Sequence, residues 1–371
     1  MAELCYDTVI IGAGPAGMGC AIPLQKKNAS VCVIDKAVFP RSKTCAGLVT
    51  GKTYRLIDAL FDGKVPDDLF CFISDEVRLY RRTRLLVSAP LEHSVRLVNR
   101  GHFDNALVEE YKRLGGLIRE GEVGLRVDAE KDCVILKNGD VIHYRYLLFA
   151  DGALSLSRRM LKVDKSKLAF GIEAYLPAEK LDTKSVDLYF DYLDSGYVWV
   201  FPHGDTVCVG AADLYSGKTD YRALLDRVLG DLGVSCDGVK VIGAFLPYGT
   251  VIPQEKLREN ILLLGDAGGF TDPISGEGLY MALQSGAYAA GALDTDLPKK
   301  TYLESMKPII RIVNDGRKVQ KTFYSPMIQK IFLKKVEGKS DLVAHFFEQM
   351  VEDYRYEYRD VRKLYGNLKK Q

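Results

Sequence analysis

YDTVIIGAGPAG at residues 6–17, with VCVID at residues 31–35 behind it, is the stretch that decides the fold. Tyr6 to Ile11 is short, β-branched and nearly all apolar, which is the composition of a buried strand. The glycine turn Gly12-Ala13-Gly14-Pro15-Ala16-Gly17 follows it directly, then an amphipathic stretch to about Lys27, then the second apolar run ending in Asp35. Strand, glycine turn, helix and strand in about thirty residues is the context in which a G-x-G-x-x-G turn binds a dinucleotide. Gly12 permits the tight turn, Gly14 lets the backbone approach a pyrophosphate, and Gly17 lets helix and strand pack closely. Pro15 and Ala16 open the helix, whose free N–H groups and positive dipole end suit phosphate. Asp35 is placed to accept hydrogen bonds from ribose hydroxyls. A carboxylate there disfavours a 2′-phosphate, so FAD or NAD fits better than NADP.

Working outward, two further segments select FAD. LLFADGALS (147–155) is an apolar strand ending in the Asp151-Gly152 turn, although an Asp-Gly pair alone is often nothing more than a turn. ILLLGDAGG (261–269) delivers Gly265-Asp266, followed by Asp272-Pro273, Gly276-Glu277-Gly278-Leu279 and a small-residue helix through about Ala290. A carboxylate at the end of that strand can bond ribityl hydroxyls. The helix opening near Ser275–Gly278 points its positive end at the electron-rich edge of a reduced flavin. Arg100, in LVNRGHFDNALVEEYKRLG, heads a helix and is followed by Asp104.

Taken together, these motifs resemble the flavoprotein superfamily of para-hydroxybenzoate hydroxylase type over residues 1 to about 290. That resemblance implies a mixed α/β fold in which a Rossmann-like FAD-binding domain is interleaved with a mixed-sheet substrate domain. The expected division is residues 1–70, 96–165 and 251–295 for FAD, 71–95 and 166–250 for substrate, and 296–371 as a C-terminal helical segment. VRLYRRTRLLVSAP and VDLYFDYLDSGYVWVFP have the alternation of strands with one wet face. Lys36, Val123, Cys45 and Gly47 are counted with the cofactor-contacting positions.

Two segments narrow the resemblance. Pro40-Arg41-Ser42-Lys43-Thr44-Cys45-Ala46-Gly47 and Tyr197-Val198-Trp199-Val200-Phe201-Pro202, with Gly210 following, resemble the PxxKxCxG and YxWxFPx(7–8)GxG signatures of geranylgeranyl reductases. Ala46 and Ala212 depart from those patterns. The implied activity is saturation of carbon–carbon double bonds in a polyprenyl lipid, quinone or related hydrophobic substrate, by hydride from reduced flavin. Cys45, Tyr197, Trp199 and Phe201 are the expected catalytic set. Alternating Tyr197, Trp199 and Phe201 share one strand face and, with Phe245 and Tyr248, can wall an apolar pocket. The plainer readings are that Trp199 fills a core and that Cys45 is a small buried hydrophobe. A flavin-dependent monooxygenase or halogenase on a hydrophobic or aromatic substrate is the alternative activity. The electron donor can be a nicotinamide, a ferredoxin or free reduced flavin, since no second glycine fingerprint is present.

Composition sets bounds around this reading. Length 371 exceeds one compact core, and 47% hydrophobic with 27% charged residues is ordinary for a globular protein. No basic leader with a long apolar run opens the chain, and no stretch is long enough for a membrane span, which points to a cytoplasmic protein. Eight cysteines contain no CxxC, so a zinc site or redox pair is not expected, and no metal is assigned. Residues 301–371 hold 15 Lys and Arg against 9 Asp and Glu, so this tail is +6 and the remainder −4. Within it, RKVQKTFYSPMIQKIFLKK (317–335) has six cations, no acid and interleaved apolar residues. It reads either as a helix pair capping the substrate domain or as a peripheral contact with anionic lipid at the inner membrane face. No nucleic-acid-binding module is recognised.

Overall fold

The protein is described by a computed structural model covering residues 2–163, 168–214, 218–235 and 238–352. The expected boundary at 165/166, Cys236 and the tail beyond Glu352 lie outside these residues. The first sheet is ordered β6 (Leu117–Glu120), β2 (Val31–Asp35), β1 (Glu3–Ile11), β9 (Val141–Phe149), β8 (Cys133–Leu136), β7 (Gly124–Asp128). β15 (Ile261–Leu263) runs parallel to the end of β9. β1 starts three residues before the apolar run, because its first half alternates exposure while pairing Glu3 to Val141. Its second half is buried on both sides between β2 and β9, as a central parallel strand requires.

Helices α1 (Pro15–Lys26), α3 (Arg100–Arg113) and α7 (Leu279–Ala292) cover one face of this sheet. α1 and α7 meet through glycines: a Cβ on Gly286 would lie 2.4 Å from the Ala16 carbonyl oxygen, so only glycine lets the helices approach this closely.

The second sheet is ordered β14 (Val241–Leu246), β10 (Ala169–Pro177), β13 (Thr206–Leu214), β12 (Gly196–His203), β11 (Val186–Phe190), β4 (Phe72–Arg81), β5 (Arg84–Leu97), β3 (Leu48–Val49). Only β11 and β4 pair in parallel, so the sheet is mixed. One face packs on α5 (Tyr221–Asp231) through Leu224, Leu225, Val228 and Leu229. The other face looks toward the glycine turn of the first sheet. α2 (Gly51–Leu60) and the short α4 (Leu156–Met160) and α6 (Gly265–Gly268) fill the connections.

The C-terminal part forms α8 (Pro298–Phe323), α9 (Pro326–Val336) and α10 (Ser340–Glu352). α8 begins at Pro298 and carries a second proline, Pro308, inside the helix. Leu333, Val336, Val343 and Val351 join the cluster containing Val87, Trp199 and Phe201, so α9 and α10 roof the second sheet. No helix among the described residues is long and apolar enough to cross a membrane.

Candidate active site

A cavity of about 1140 Å³ runs from the glycine turn to the inner face of the second sheet. At its first end it is lined by Gly12, Gly14, Pro15, Ala16, Asp35, Lys36 and Val123. Gly12 has φ of +108°, and a Cβ there would strike the Ala150 carbonyl oxygen at 2.3 Å. Gly17 does not reach the cavity; its Cβ would fall 1.9 Å from the Gly12 oxygen, so its part is helix–strand packing. The Asp35 carboxylate is buried and accepts from Ala13 N at 2.7 Å and Ala37 N at 2.8 Å. It therefore braces the turn from below and retains lone pairs for a ribose.

Two helix N-termini open on this cavity without a side-chain cap, α1 at Gly14 and α7 at Gly278. The first N–H groups of a helix have no acceptor within it and, without a cap, look outward for one. A pyrophosphate at the first and a flavin edge at the second would accept from them, and the donor set therefore fits FAD. Asp151, Gly152, Asp266, Gly276 and Leu279 complete the stretch between the two termini. Asp151 accepts from Leu156 N at 2.7 Å and from Ser157 Oγ at 3.1 Å, while burial pushes its carboxyl up to about 6. Asp266 accepts from Thr271 Oγ1 at 3.1 Å.

Gly265 and Pro273 stand outside the cavity wall. The Gly265 N–H donates to Ser285 Oγ at 2.9 Å, and the Pro273 carbonyl accepts from Gln320 Nε2 at 2.6 Å. Pro273 opens a loop held from several sides. Tyr197 Oη donates to the Ser275 carbonyl, Tyr324 Oη to Ile274 O at 2.7 Å, and Tyr248 Oη to Ile274 O at 3.3 Å. Tyr248 is thus a pin for this loop and not a wall of the pocket, which corrects the sequence expectation: the turn after β14 aims it away from the cavity.

The loop of Pro40 to Gly47 crosses the middle of the cavity, with Cys45 half-buried in its wall. Arg100 donates to Asp104 at 2.8 and 3.0 Å, and Arg41 reaches the same carboxylate at 2.9 Å, which ties the loop to α3. Arg100 also lines the cavity. The His203 ring is buried and burial lowers its pKa, so it is neutral and donates Nε2–H to Ala46 O at 2.9 Å. Gly47 has φ of +75°, and its Cβ would meet the Val98 oxygen at 2.2 Å. The Gly47 N–H donates to Cys45 Sγ at 3.4 Å.

At the far end Tyr197, Trp199 and Phe201 all face the cavity. Their cross-strand partners on β13 are Ala212, Gly210 and Cys208, and the next row on β10 is Gly171, Glu173 and Tyr175. Beside the large rings of β12 the cavity floor is therefore small at Gly171 and Ala212. Gly210 has a specific reason to be glycine: its Cβ would lie 2.2 Å from Trp199 Cζ2, so the indole lies directly across it. Phe245, Phe323, Tyr324 and Phe332 extend the apolar wall.

Sequence reasoning overlooked Glu173, which is fully buried in the cavity wall, and Arg158, whose Nη2 donates to Asp266 O at 3.1 Å. Glu173 is the one charged residue of a strand buried along most of its length, and only the cross-strand register reveals it beside Trp199. Lys335, read with the exposed lysines of the tail, instead lines the cavity.

Residues 6–210 match the family model of the pyridine nucleotide-disulphide oxidoreductases. The sequence has no CxxC and the described cysteines are free, so this membership rests on the dinucleotide-binding unit. Geranylgeranyl diphosphate reductase of Rhodobacter capsulatus is 28% identical over 318 residues, covering 82% of this chain and 77% of its own. Digeranylgeranylglycerophospholipid reductase of Methanococcus aeolicus is 26% identical, with 90% and 87% covered. The resemblance to geranylgeranyl reductases is borne out by relatives of that name. Among solved structures, a geranylgeranyl bacteriochlorophyll reductase-like protein of Thermoplasma acidophilum superposes with a TM-score of 0.68 at 18% identity, covering 96% and 93%. Halogenase PltM in complex with phloroglucinol and FAD gives 0.70 at 17% identity, covering 93% and 85%. These two likenesses establish the fold. With a donor set that fits FAD and relatives named as reductases, the family-model match over residues 6–210 places this chain in the pyridine nucleotide-disulphide oxidoreductase family, as an FAD-dependent oxidoreductase.

Proposed function

We propose that this protein is a reductase that saturates carbon–carbon double bonds of a polyprenyl lipid, quinone or related hydrophobic chain. The observation that carries this reading is the aromatic row Tyr197, Trp199 and Phe201 beside the small residues Gly171 and Ala212, in a cavity continuous with the glycine-turn site. A ring wall beside small residues accepts a long, thin, apolar chain and keeps water from it. Bound FAD would supply the hydride. Gly12, Gly14, Pro15, Ala16, Asp35, Lys36 and Val123 would hold its adenosine and pyrophosphate half. Arg100, Asp151, Gly152, Asp266, Gly276, Gly278 and Leu279 would hold the rest, with Gly17, Gly265 and Pro273 shaping their backbones. Cys45 would lie on the substrate side, and Gly47 would set the turn that presents it.

The division into an FAD half (1–70, 96–165, 251–295), a substrate half (71–95, 166–250) and a helical segment (296–371) belongs to the same proposal. So does a cytoplasmic site of action against the membrane, with a nicotinamide, ferredoxin or reduced flavin as electron donor. On α9, Met327 is 69% and Ile331 40% exposed, beside exposed Lys330 and Lys334. Apolar and cationic side chains on one exposed face suit an anionic lipid surface. The reading is tested by incubating the dithionite-reduced protein anaerobically with geranylgeranyl diphosphate. Products heavier by two hydrogens support it; strict oxygen dependence, or an oxygenated or halogenated product, moves the assignment to a monooxygenase or halogenase.

A further inference from the structure

Glu173 lies at the centre of the second sheet, on the face that looks into the cavity. Its register neighbour on β13 is Gly210, and Gly210 is the neighbour of Trp199 on β12. Because Gly210 has no side chain, the indole lies across it toward the Glu173 row. The carboxyl is thus set beside the ring over which a bound chain would rest. It is 0% exposed, so water reaches it only through the cavity.

Its partners leave it without a counter-ion. Tyr175 Oη donates to Oε1 at 3.4 Å, the Cys208 sulfur lies 4.0 Å from Oε2, and the backbone of Cys45 hydrogen-bonds the carboxyl. No cation among the described residues makes an ion pair with it. Lys43 and Cys45 face it from the loop, Arg100 from α3, Tyr175 from its own strand and Cys208 from β13. Arg100 is committed to Asp104. A buried carboxyl costs free energy unless it is neutral or paired. A structural acceptor for the Cys45 N–H could be an amide or hydroxyl at lower cost. An acid here has a use only if its proton does.

We propose that Glu173 is the proton donor of the reduction, delivering H⁺ to one alkene carbon while hydride enters the other. This rests on the reductase reading above. The balance is closed: two electrons and one hydrogen come from the reduced flavin, one proton comes from the Glu173 carboxyl, and the π bond becomes two C–H bonds. The carboxylate left behind regains its proton from solvent between turnovers. Burial pushes the carboxyl up to about 7, against the smaller opposing pull of the Cys45 backbone, Tyr175, Lys43 and Arg100, so it carries its proton below neutral pH. Cys45, tied to the carboxyl through its backbone, fixes how the loop and the acid sit together.

The test uses Glu173→Gln, which keeps the acceptor for Cys45 but has no acidic proton, and Glu173→Asp as the conservative partner. Anaerobic reoxidation of dithionite-reduced protein by geranylgeranyl diphosphate should slow about 10²- to 10⁴-fold in the Gln variant, with FAD content unchanged, and recover in part in the Asp variant. The wild-type rate should fall as pH rises through about 7, and the Gln variant should lose that limb. In the apoprotein, the infrared C=O absorption of protonated carboxyls should contain a component that bleaches through the same range, above those of Asp151 and Asp187 near 6, and that component should be missing from the Gln variant. A Gln variant with wild-type rate and pH profile overturns the role while leaving the reductase reading intact. A carboxyl already ionised well below pH 6 also overturns it. A wild type that reduces no polyprenyl chain, with the infrared titration still present, overturns the reductase reading and this role with it.

Discussion

Gly210→Ala is the smallest change that should separate substrate alignment from flavin binding. An ideal Cβ there lies 2.2 Å from Trp199 Cζ2, 2.3 Å from Cε2 and 2.7 Å from the Ile172 carbonyl oxygen. Carbon–carbon contact is comfortable at about 3.5 Å or more, so the indole must retreat by roughly 1 Å. The Ile172 oxygen belongs to β10, whose pairing to Ala211 resists any outward shift. Overpacking of this kind costs roughly 1–3 kcal/mol, a fall of several degrees in melting temperature. A reacting bond displaced by about 1 Å can lose about 10²-fold in rate. Gly210 is remote from the glycine turn, so flavin absorbance per protein should not change. Anaerobic single-turnover reoxidation by geranylgeranyl diphosphate reads the rate, and thermal melting reads the strain. An alanine variant with wild-type melting and wild-type rate would refute the claim that Trp199 lies across Gly210 and aligns the chain.

Asp35→Ala removes the acceptor of the Ala13 and Ala37 N–H groups as well as that of the ribose; FAD affinity, measured by fluorescence titration of the apoprotein, should fall roughly ten- to a hundredfold. Cys45→Ser should retain FAD and melting temperature but change turnover or the pattern of partially reduced products by mass spectrometry; an unaltered pattern would return Cys45 to ordinary packing. Burial pushes the Asp187 carboxyl up to about 6 from an ordinary 3.8, so it costs the native state stability as pH rises through that window, about 3 kcal/mol in all. Asp187→Asn should therefore gain in melting temperature relative to wild type between about pH 4 and 7, and a constant difference would contradict the assignment. If α9 rests on anionic lipid, vesicle sedimentation should weaken as salt shortens the Debye length below about 8 Å, and Lys330→Glu with Lys334→Glu should abolish it without altering the flavin spectrum; binding indifferent to both would leave the helix as a cap.

What was legible in the sequence is what depends on neighbours along the chain. The glycine turn, Asp35 and the strands ending at Asp151 and Asp266 are local patterns whose chemistry follows from spacing, and so is the Tyr197–Phe201 alternation. What depends on register across the sheet was not legible. Glu173 matters because β10 and β12 flank β13 with Gly210 between them, and no spacing in the sequence states that pairing. Tyr248 reads as one more aromatic wall, yet its hydroxyl is spent on the Ile274 carbonyl. The tail's apolar stripe divides for a similar reason. Phe323 and Phe332 turn into the cavity, whereas Met327 and Ile331 stay exposed, because the helix stops at Phe323 and restarts at Pro326 with Phe332 on a different face of α9 from Met327 and Ile331.

The central claim is that this cavity holds reduced flavin against the double bond of a polyprenyl chain. Anaerobic mixing of the dithionite-reduced protein with geranylgeranyl diphosphate, followed at the flavin absorbance and by mass spectrometry of the lipid, tests it most directly. The account predicts flavin reoxidation without oxygen, with one pair of hydrogens gained by the lipid for each flavin oxidised. Flavin that stays reduced until oxygen is admitted, with the lipid mass unchanged or raised by an oxygen atom, would contradict it.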